Sequence, residues 1–128
     1  MRDIRFIRLA ALAPLTTLLL TAAYAFSGGK PDIRGTVSQI RRAEGKSGGR
    51  ILGSVFVEGA KETDTQVDKA VITVTSETRL LVEQGDGREP ASFAELKEGQ
   101  KVEARFVGPV LESYPVRATA GEIIILRR

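Results

Sequence analysis

The apolar residues after position 31 come in short bursts separated by turn-forming residues, and this feature limits the possible fold more than any other. The segment 70–75 consists almost wholly of β-branched residues, and the segment 101–106 alternates apolar with charged side chains. Bursts of about four to eight residues with a period of two are typical of β-strands. The chain beyond residue 31 therefore predicts an all-β domain.

These bursts predict six strands, at residues 33–40, 51–58, 70–75, 79–83, 101–106 and 116–126. Alternation in the fifth strand predicts that Val102, Ala104 and Phe106 face inward while its three charged residues face outward. The last strand ends in an unbroken apolar run, Ile123 to Leu126, which is typical of a strand buried on both faces. Gly108 and Pro109 predict a turn between these two strands.

A single helical turn is predicted before the fifth strand. Ser92 and Glu95 have the spacing of a capping box, and Gly99 can adopt the left-handed conformation that ends a helix. Short strands with one small helix predict a small antiparallel barrel of the OB type, with five to six strands. Closure would remove the exposed strand edges, and an open sandwich is the alternative.

The first 25 residues have the three parts of a secretory signal in the right order. Three arginines lie in the first eight residues, an uncharged apolar stretch follows, and Ala23-Tyr24-Ala25 offers the small residues that a signal peptidase accepts. We therefore predict cleavage after Ala25 and an exported protein that is secreted, periplasmic or held at the cell envelope.

An uncleaved anchor is the alternative, because residues 9–26 reach the lower limit of about 17 to 25 residues for a membrane-spanning helix. If the signal is not cleaved, residues 9–26 are the predicted contact of the chain with a membrane. The chain has no cysteine, so a lipid-modified amino terminus is excluded. The predicted organisation is a signal at residues 1–25, a flexible linker at 26–31 and a β-barrel domain at 32–128.

The basic character of the chain belongs mostly to its first segment. The net charge is +3 in total, and residues 1–25 hold three arginines and one aspartate, so the remainder has a net charge of +1. A domain with this balance is not expected to present a strongly basic face to nucleic acid.

Most catalytic chemistry is excluded by residue inventory. Without cysteine or histidine there is no thiol nucleophile, no histidine base and no ordinary zinc site. Residues 45–49 lack the spacing of a phosphate-binding loop and predict a hairpin loop instead. We predict no catalytic residue, no bound metal and no cofactor.

Two alternatives involve the carboxylates around one polar loop: Glu58, Glu62, Asp64 and Asp68. Paired carboxylates could serve a hydrolase, and a cluster of them could hold calcium loosely. Nothing in the local sequence indicates the desolvation that separates two carboxylate pKa values, and the spacing of a calcium loop is missing.

Aromatic residues supply the remaining candidates for binding. Phe93 is predicted to anchor the helical turn and Phe106 to lie in the core. Phe56 has the opposite parity to its apolar neighbours and could face outward, and Tyr114 lies in an irregular segment. With Arg117, these two aromatic residues are the predicted ligand-binding residues.

The chain resembles the YobA-like family of bacterial exported domains over about residues 32 to 126. The matching pieces are Ile33-Arg34-Gly35-Thr36-Val37, Phe93-Ala94-Glu95-Leu96-Lys97-Glu98-Gly99-Gln100-Lys101-Val102-Glu103, Gly108-Pro109-Val110 and Glu112-Ser113-Tyr114-Pro115, with Ala118 and Ala120 before the closing isoleucines. The resemblance implies a small secreted or lipid-anchored β-domain of unknown function, and it carries over no catalytic residue. This chain departs from the lipid-anchored members because it has no cysteine.

The leading functional hypothesis is a non-enzymatic exported module that binds an envelope or extracellular partner. A barrel that binds an oligosaccharide or a single-stranded nucleic acid is the first alternative, and a carboxylate-dependent hydrolase is the second.

Overall fold

The computed structural model describes residues 29–43 and 50–127, and this part of the chain is all-β. Its seven strands are β1 (Ile33–Arg42), β2 (Ile51–Glu58), β3 (Lys69–Thr75), β4 (Arg79–Gln84), β5 (Gly87–Pro90), β6 (Lys101–Leu111) and β7 (Val116–Leu126). The predicted signal with its cleavage residues Ala23 and Ala25, and the loop at residues 44–49, lie outside the described residues.

Five of the strands close into a barrel. β1 pairs antiparallel with both β2 and β6, β2 pairs with β3, and β6 pairs with β7. β3 then pairs with β7 in parallel, which closes the ring. The predicted all-β barrel is confirmed, whereas the open sandwich and a wholly antiparallel pairing are wrong. A closed ring with an odd number of strands cannot alternate direction all the way round, so one pairing must be parallel.

Two further strands extend the sheet beyond the barrel. β4 pairs in parallel with the second half of β7, and β5 pairs with β4 as an edge strand. The Thr78 hydroxyl donates to the carbonyl oxygen of Ala120 at 2.8 Å, which bridges the gap between β3 and β4 along β7. The strand β5 was not predicted because its four residues are all exposed and include a glycine and a proline.

The predicted helix is reduced to one 3₁₀ turn at Phe93–Glu95. The Ser92 N–H donates to the Glu95 carboxylate at 2.6 Å, as the capping spacing predicts. Gly99 has the predicted left-handed conformation, with a φ of 91°, but it does not end the helix, because the 3₁₀ turn stops at Glu95 and Leu96 is already extended. Within residues 29–43 and 50–127, no helix is long and apolar enough to span a bilayer.

The predicted turn at Gly108 and Pro109 is wrong, because β6 continues to Leu111 through a bulge. Val107 pairs with Thr119 and Leu111 with Arg117, so residues 108–110 oppose a single residue of β7. Gly108 permits this bulge with a φ of 73°.

The barrel interior is packed with aliphatic side chains from all five of its strands. Val102 and Ala104 face inward and are fully buried, and Phe93 and Phe106 pack against this core as predicted. The run from Ile123 to Leu126 is buried on both faces, because alternate members join the interior or pack with Leu81 on the outer side. Each fully buried aliphatic side chain contributes roughly 1.5–3 kcal/mol of transfer free energy.

Candidate functional site

The structure brings two of the three predicted binding residues together. Phe56 on β2 and Arg117 on β7 line one groove of about 190 Å³ on the outer surface of the barrel. Tyr114 does not line it and is 67 % exposed in the segment between β6 and β7. Its hydroxyl donates to the Asp68 carboxylate at 3.0 Å, and the Lys69 ammonium lies 5.8 Å from its ring centroid.

This site is named the arginine groove, and its lining residues are Gln39, Arg41, Ser54, Phe56, Val71 and Arg117. Strand register explains why residues so distant in sequence meet. Successive pairings place four of them in one row across β1, β2, β3 and β7, in the order Gln39, Phe56, Val71 and Arg117. Arg41 and Ser54 are paired in the next row.

A bulge in β1 determines which of its side chains reach the groove. The register shifts between Val37, which faces the core, and Gln39, so that Ser38 is the extra residue. One extra residue reverses the facing of the residues beyond it. Ile40 therefore packs against the core, and Arg41 faces outward.

Gly53 allows β1 and β2 to approach closely beside the groove. A Cβ atom at this position would collide with the carbonyl oxygen of Arg41 and would lie 2.8 Å from the Phe93 ring. A side chain there would push the two strands apart, so glycine helps to fix the backbone from which Arg41 extends.

The two guanidinium groups of the groove are exposed and have no neutralising partner within the described part of the chain. There, neither Arg41 nor Arg117 forms an ion pair, and none of the six lining residues is acidic. Arginine presents a planar fork of donors that matches carboxylate and phosphate groups. The groove is therefore suited to an anionic ligand.

The surface continues beyond Arg117 into a shallow depression on β3, β6 and β7. Its lining residues are Thr73, Pro109, Val110, Leu111, Arg117, Ala118 and Thr119. Val110 and Leu111 are 41 % and 61 % exposed, and they lie on or directly after the bulge of β6. The two depressions share Arg117, so an extended ligand could occupy both.

Arg34, near the start of β1, differs from Arg41 and Arg117 because its guanidinium group is surrounded by carboxylates. Its Nε donates to Glu103 at 2.8 Å, and its terminal nitrogens donate to Asp64 at 3.0 and 2.7 Å and also to Glu62. These partners raise the pKa of Arg34, chiefly through the hydrogen bond with Asp64, and the same bond lowers the pKa of Asp64.

A second ion pair lies nearby on β6 and β7. Arg105 donates from a terminal nitrogen to the Glu122 carboxylate at 3.0 Å and from its Nε to the carbonyl oxygen of Gly29 at 2.8 Å. Arg79 lies 3.9 Å from the same carboxylate, whose side chain is 9 % exposed. The ion-pair face is the surface formed by Arg34, Glu62, Asp64, Glu103, Arg105 and Glu122.

Each carboxylate considered for hydrolysis or calcium binding has a partner in this chain, and Glu62 and Asp64 share Arg34. Asp64 is bound to Arg34, Asp68 accepts from Tyr114, and Glu58 lies 3.9 Å from the Lys69 ammonium. A general acid needs a raised pKa, and that of Asp64 is lowered. Within residues 29–43 and 50–127, no group of three or more acidic side chains is arranged to hold a metal ion.

A second groove at another part of the barrel provides a comparison. It is lined by Val82, Glu95, Lys97, Gln100, Ile125, Leu126 and Arg127. Counted over the described residues, this groove has two cations, as the arginine groove does, but its lining also contains a carboxylate and has no aromatic ring.

Four residues of the arginine groove are not among those predicted from the sequence: Gln39, Arg41, Ser54 and Val71. One local feature could have indicated the first two, because the apolar positions of β1 change parity between Val37 and Ile40. Such a change indicates a bulge, and it reverses the facing of the residues that follow. No local pattern shows which strands are neighbours, so the other two depend on the barrel register.

One comparison with known proteins gives a match. A family model described as "Protein of unknown function (DUF3221)" matches residues 55–127, which is more than half of the chain. The matched range includes Phe56, Val71 and Arg117 and excludes β1. No curated protein matches the chain, and no solved structure does.

Proposed function

The chain belongs to the DUF3221 family, whose function is unknown, and from that premise we propose that the protein is a non-enzymatic binding module that acts outside the cytoplasm. The arginine groove is its binding surface. One observation carries this proposal: a single groove combines the Phe56 ring with Arg41 and Arg117, which no carboxylate neutralises within the described residues.

The topology of the barrel supports a binding role. The order β1-β2-β3-β7-β6, with one parallel pairing and a small helical turn before β6, fits a barrel of the OB type. Barrels of this type bind oligonucleotides or oligosaccharides on the face of their second and third strands and on the adjacent loops. The arginine groove crosses this same face, on β2 and β3.

The groove favours binding over catalysis. Among the described residues, its lining includes no carboxylate that could act as a general acid, a general base or a nucleophile. The carboxylates outside it that were candidates for hydrolysis are held by Arg34, Lys69 and Tyr114.

Export is supported by the composition of residues 1–25 and by the resemblance to the YobA-like exported domains. Amino-terminal sequencing of the protein recovered from culture medium and envelope fractions tests this part. We expect a chain that begins at Phe26. An intact Met1 in the membrane fraction would indicate the anchor instead, and an intact Met1 in the cytosol would contradict export.

The binding proposal is tested by a thermal-shift screen of the purified full-length protein against glycans, oligonucleotides and envelope lipids. A ligand at 100 times its dissociation constant adds roughly 2.7 kcal/mol to stability, which raises the melting temperature of a domain this size by several degrees. The shift should be lost in Phe56→Ala and in Arg117→Gln. The control is the double variant Lys97→Gln, Arg127→Gln, which removes two charges from the second groove. A ligand whose shift survives the first two variants would contradict the proposed surface.

A further inference from the structure

We infer that the ligand of the arginine groove is a linear glycan chain that carries carboxylate or phosphate groups. This inference rests on the proposed function, because it identifies the ligand class for the same groove.

The charge of the groove indicates an anionic ligand. Arg41 and Arg117 are both exposed, and within the described residues neither has a carboxylate partner. A guanidinium group forms two parallel hydrogen bonds with either a carboxylate or a phosphate, so both anions fit. Elsewhere on the barrel, at the ion-pair face, arginines are already satisfied by carboxylates of this chain.

The spacing of the two arginines indicates an extended ligand. Arg41 extends from β1 and Arg117 from β7, and three inter-strand spacings separate those strands, which amounts to at most about 14 Å. Arg41 lies in the row beside Ser54, one row away from Arg117, and the strands of Phe56 and Val71 lie between β1 and β7. A ligand that contacts both guanidinium groups must therefore cross β2 and β3 diagonally, and the depression beyond Arg117 can take a longer chain.

The uncharged lining residues match sugar hydroxyl groups. Gln39 and Ser54 line the groove, and Thr73 and Thr119 lie along its continuation. Amide and hydroxyl side chains both donate and accept hydrogen bonds, as sugar hydroxyls do. The half-buried Phe56 ring adds one flat apolar surface on which a sugar ring can rest.

A single-stranded nucleic acid fits this surface less well. Proteins that bind single strands stack successive bases on several aromatic side chains. The described lining of the arginine groove has one aromatic residue, and the Tyr114 side chain contacts Asp68 and Lys69 instead.

The test is isothermal titration of the full-length protein with four probes at low and at physiological salt. The probes are a hexameric oligouronate, a phosphorylated hexasaccharide, a neutral hexasaccharide and a ten-nucleotide oligo(dT). We expect binding of at least one anionic glycan, no binding of the neutral one, and an affinity that falls as salt rises. The two anionic probes distinguish carboxylate from phosphate as the recognised group.

The double variant Arg41→Gln, Arg117→Gln should weaken this binding at least tenfold, because it removes two charge-assisted contacts. The control Lys97→Gln, Arg127→Gln removes the same charge from the second groove and should change the affinity less than twofold. Circular dichroism verifies that both variants are folded.

Other outcomes separate this inference from the proposed function. If the neutral glycan binds through Phe56 and the arginine variant has no effect, the glycan is not recognised by charge, and only the inference is overturned. If oligo(dT) alone binds and the arginine variant abolishes it, the ligand class is wrong and the groove is right. Failure of both anionic glycans to bind overturns the inference. An equal loss in the control variant overturns both, because net charge then explains the binding.

Discussion

Strand β1 carries an arginine on its outer face near each end, and the two have opposite environments. Arg34 is 19 % exposed and donates to three carboxylates of other segments. Arg41 is exposed and has no ion pair within the described residues. β7 repeats the contrast, because Arg117 is open near its start while Glu122, further along, is 9 % exposed and bound to Arg105.

The difference shows that the partners of an arginine decide whether it stabilises the fold or remains able to bind a ligand. Charges that the chain neutralises and half-buries hold segments of the fold together. Charges that it leaves open on a folded surface remain able to bind another molecule. On each of these strands a bulge separates the ion-pair face from the arginine groove. The bulge is at Ser38 in β1 and at Gly121 in β7.

Replacing Arg34 should have the largest effect on stability. Arg34→Met leaves Glu103, whose side chain is 10 % exposed, without its cation, and removal of one partner from a largely buried pair is strongly destabilising. We expect the free energy of unfolding to fall by roughly 2–4 kcal/mol, measured by urea denaturation. The matched variant Arg41→Met should change it by less than about 0.5 kcal/mol. Equal losses of unfolding free energy in the two variants would contradict the contrast drawn between Arg34 and Arg41.

Glu122→Gln should have a smaller effect, because Arg105 keeps its hydrogen bond to the carbonyl oxygen of Gly29. We expect a loss of about 1.5–3 kcal/mol in urea denaturation, the range for a hydrogen bond that involves charged groups. The control is Glu77→Gln in the surface pair with Arg50, whose side chains are 80 % and 78 % exposed. Its effect should stay near zero, and a similar loss at both sites would contradict the account of the ion-pair face.

Acid should weaken the ion-pair face through Asp64. The pKa of this carboxyl is lower in the folded protein than its ordinary value of 3.8. A group with a lowered folded pKa stabilises the protein above its unfolded pKa, and that stabilisation is lost as pH falls through the folded pKa. We expect the melting temperature of Asp64→Asn to depend less on pH below about 4 than that of the wild type. The same pH dependence in both proteins would exclude this contribution.

The smallest effect on stability is expected in the arginine groove. The double variant Arg41→Gln, Arg117→Gln breaks no ion pair among the described residues, so its unfolding free energy should remain within about 0.5 kcal/mol of the wild type. Thermal and urea denaturation both measure this. A loss of unfolding free energy above about 1 kcal/mol would mean that these arginines also stabilise the folded state.

Local patterns in the sequence predict the strands but not their neighbours. Alternation placed Val102 and Ala104 in the core and Glu103 on the outer face, and all three positions are as predicted. Glu103 is nevertheless buried, because Arg34 of the neighbouring strand lies against it. That contact depends on the pairing of β1 with β6, which alternation within one strand does not contain.

The same limit applies to the candidate site. Phe56 could be identified from its outward parity, since parity is a local property of β2. Its meeting with Arg117 depends on the parallel pairing of β3 with β7, and the outward facing of Arg41 depends on the Ser38 bulge. Both features belong to the closed barrel, so sequence reasoning found individual residues and missed the groove that they form.

The central claim, that the arginine groove is the binding surface, is tested most directly by chemical-shift mapping. The measurement uses ¹⁵N-labelled protein and whichever anionic glycan binds in the titration. The account predicts that the perturbed amides cluster at residues 39–41, 54–56, 71–73 and 117–119. Perturbations centred on the ion-pair face, or on Lys97 and Arg127 in the second groove, would contradict it.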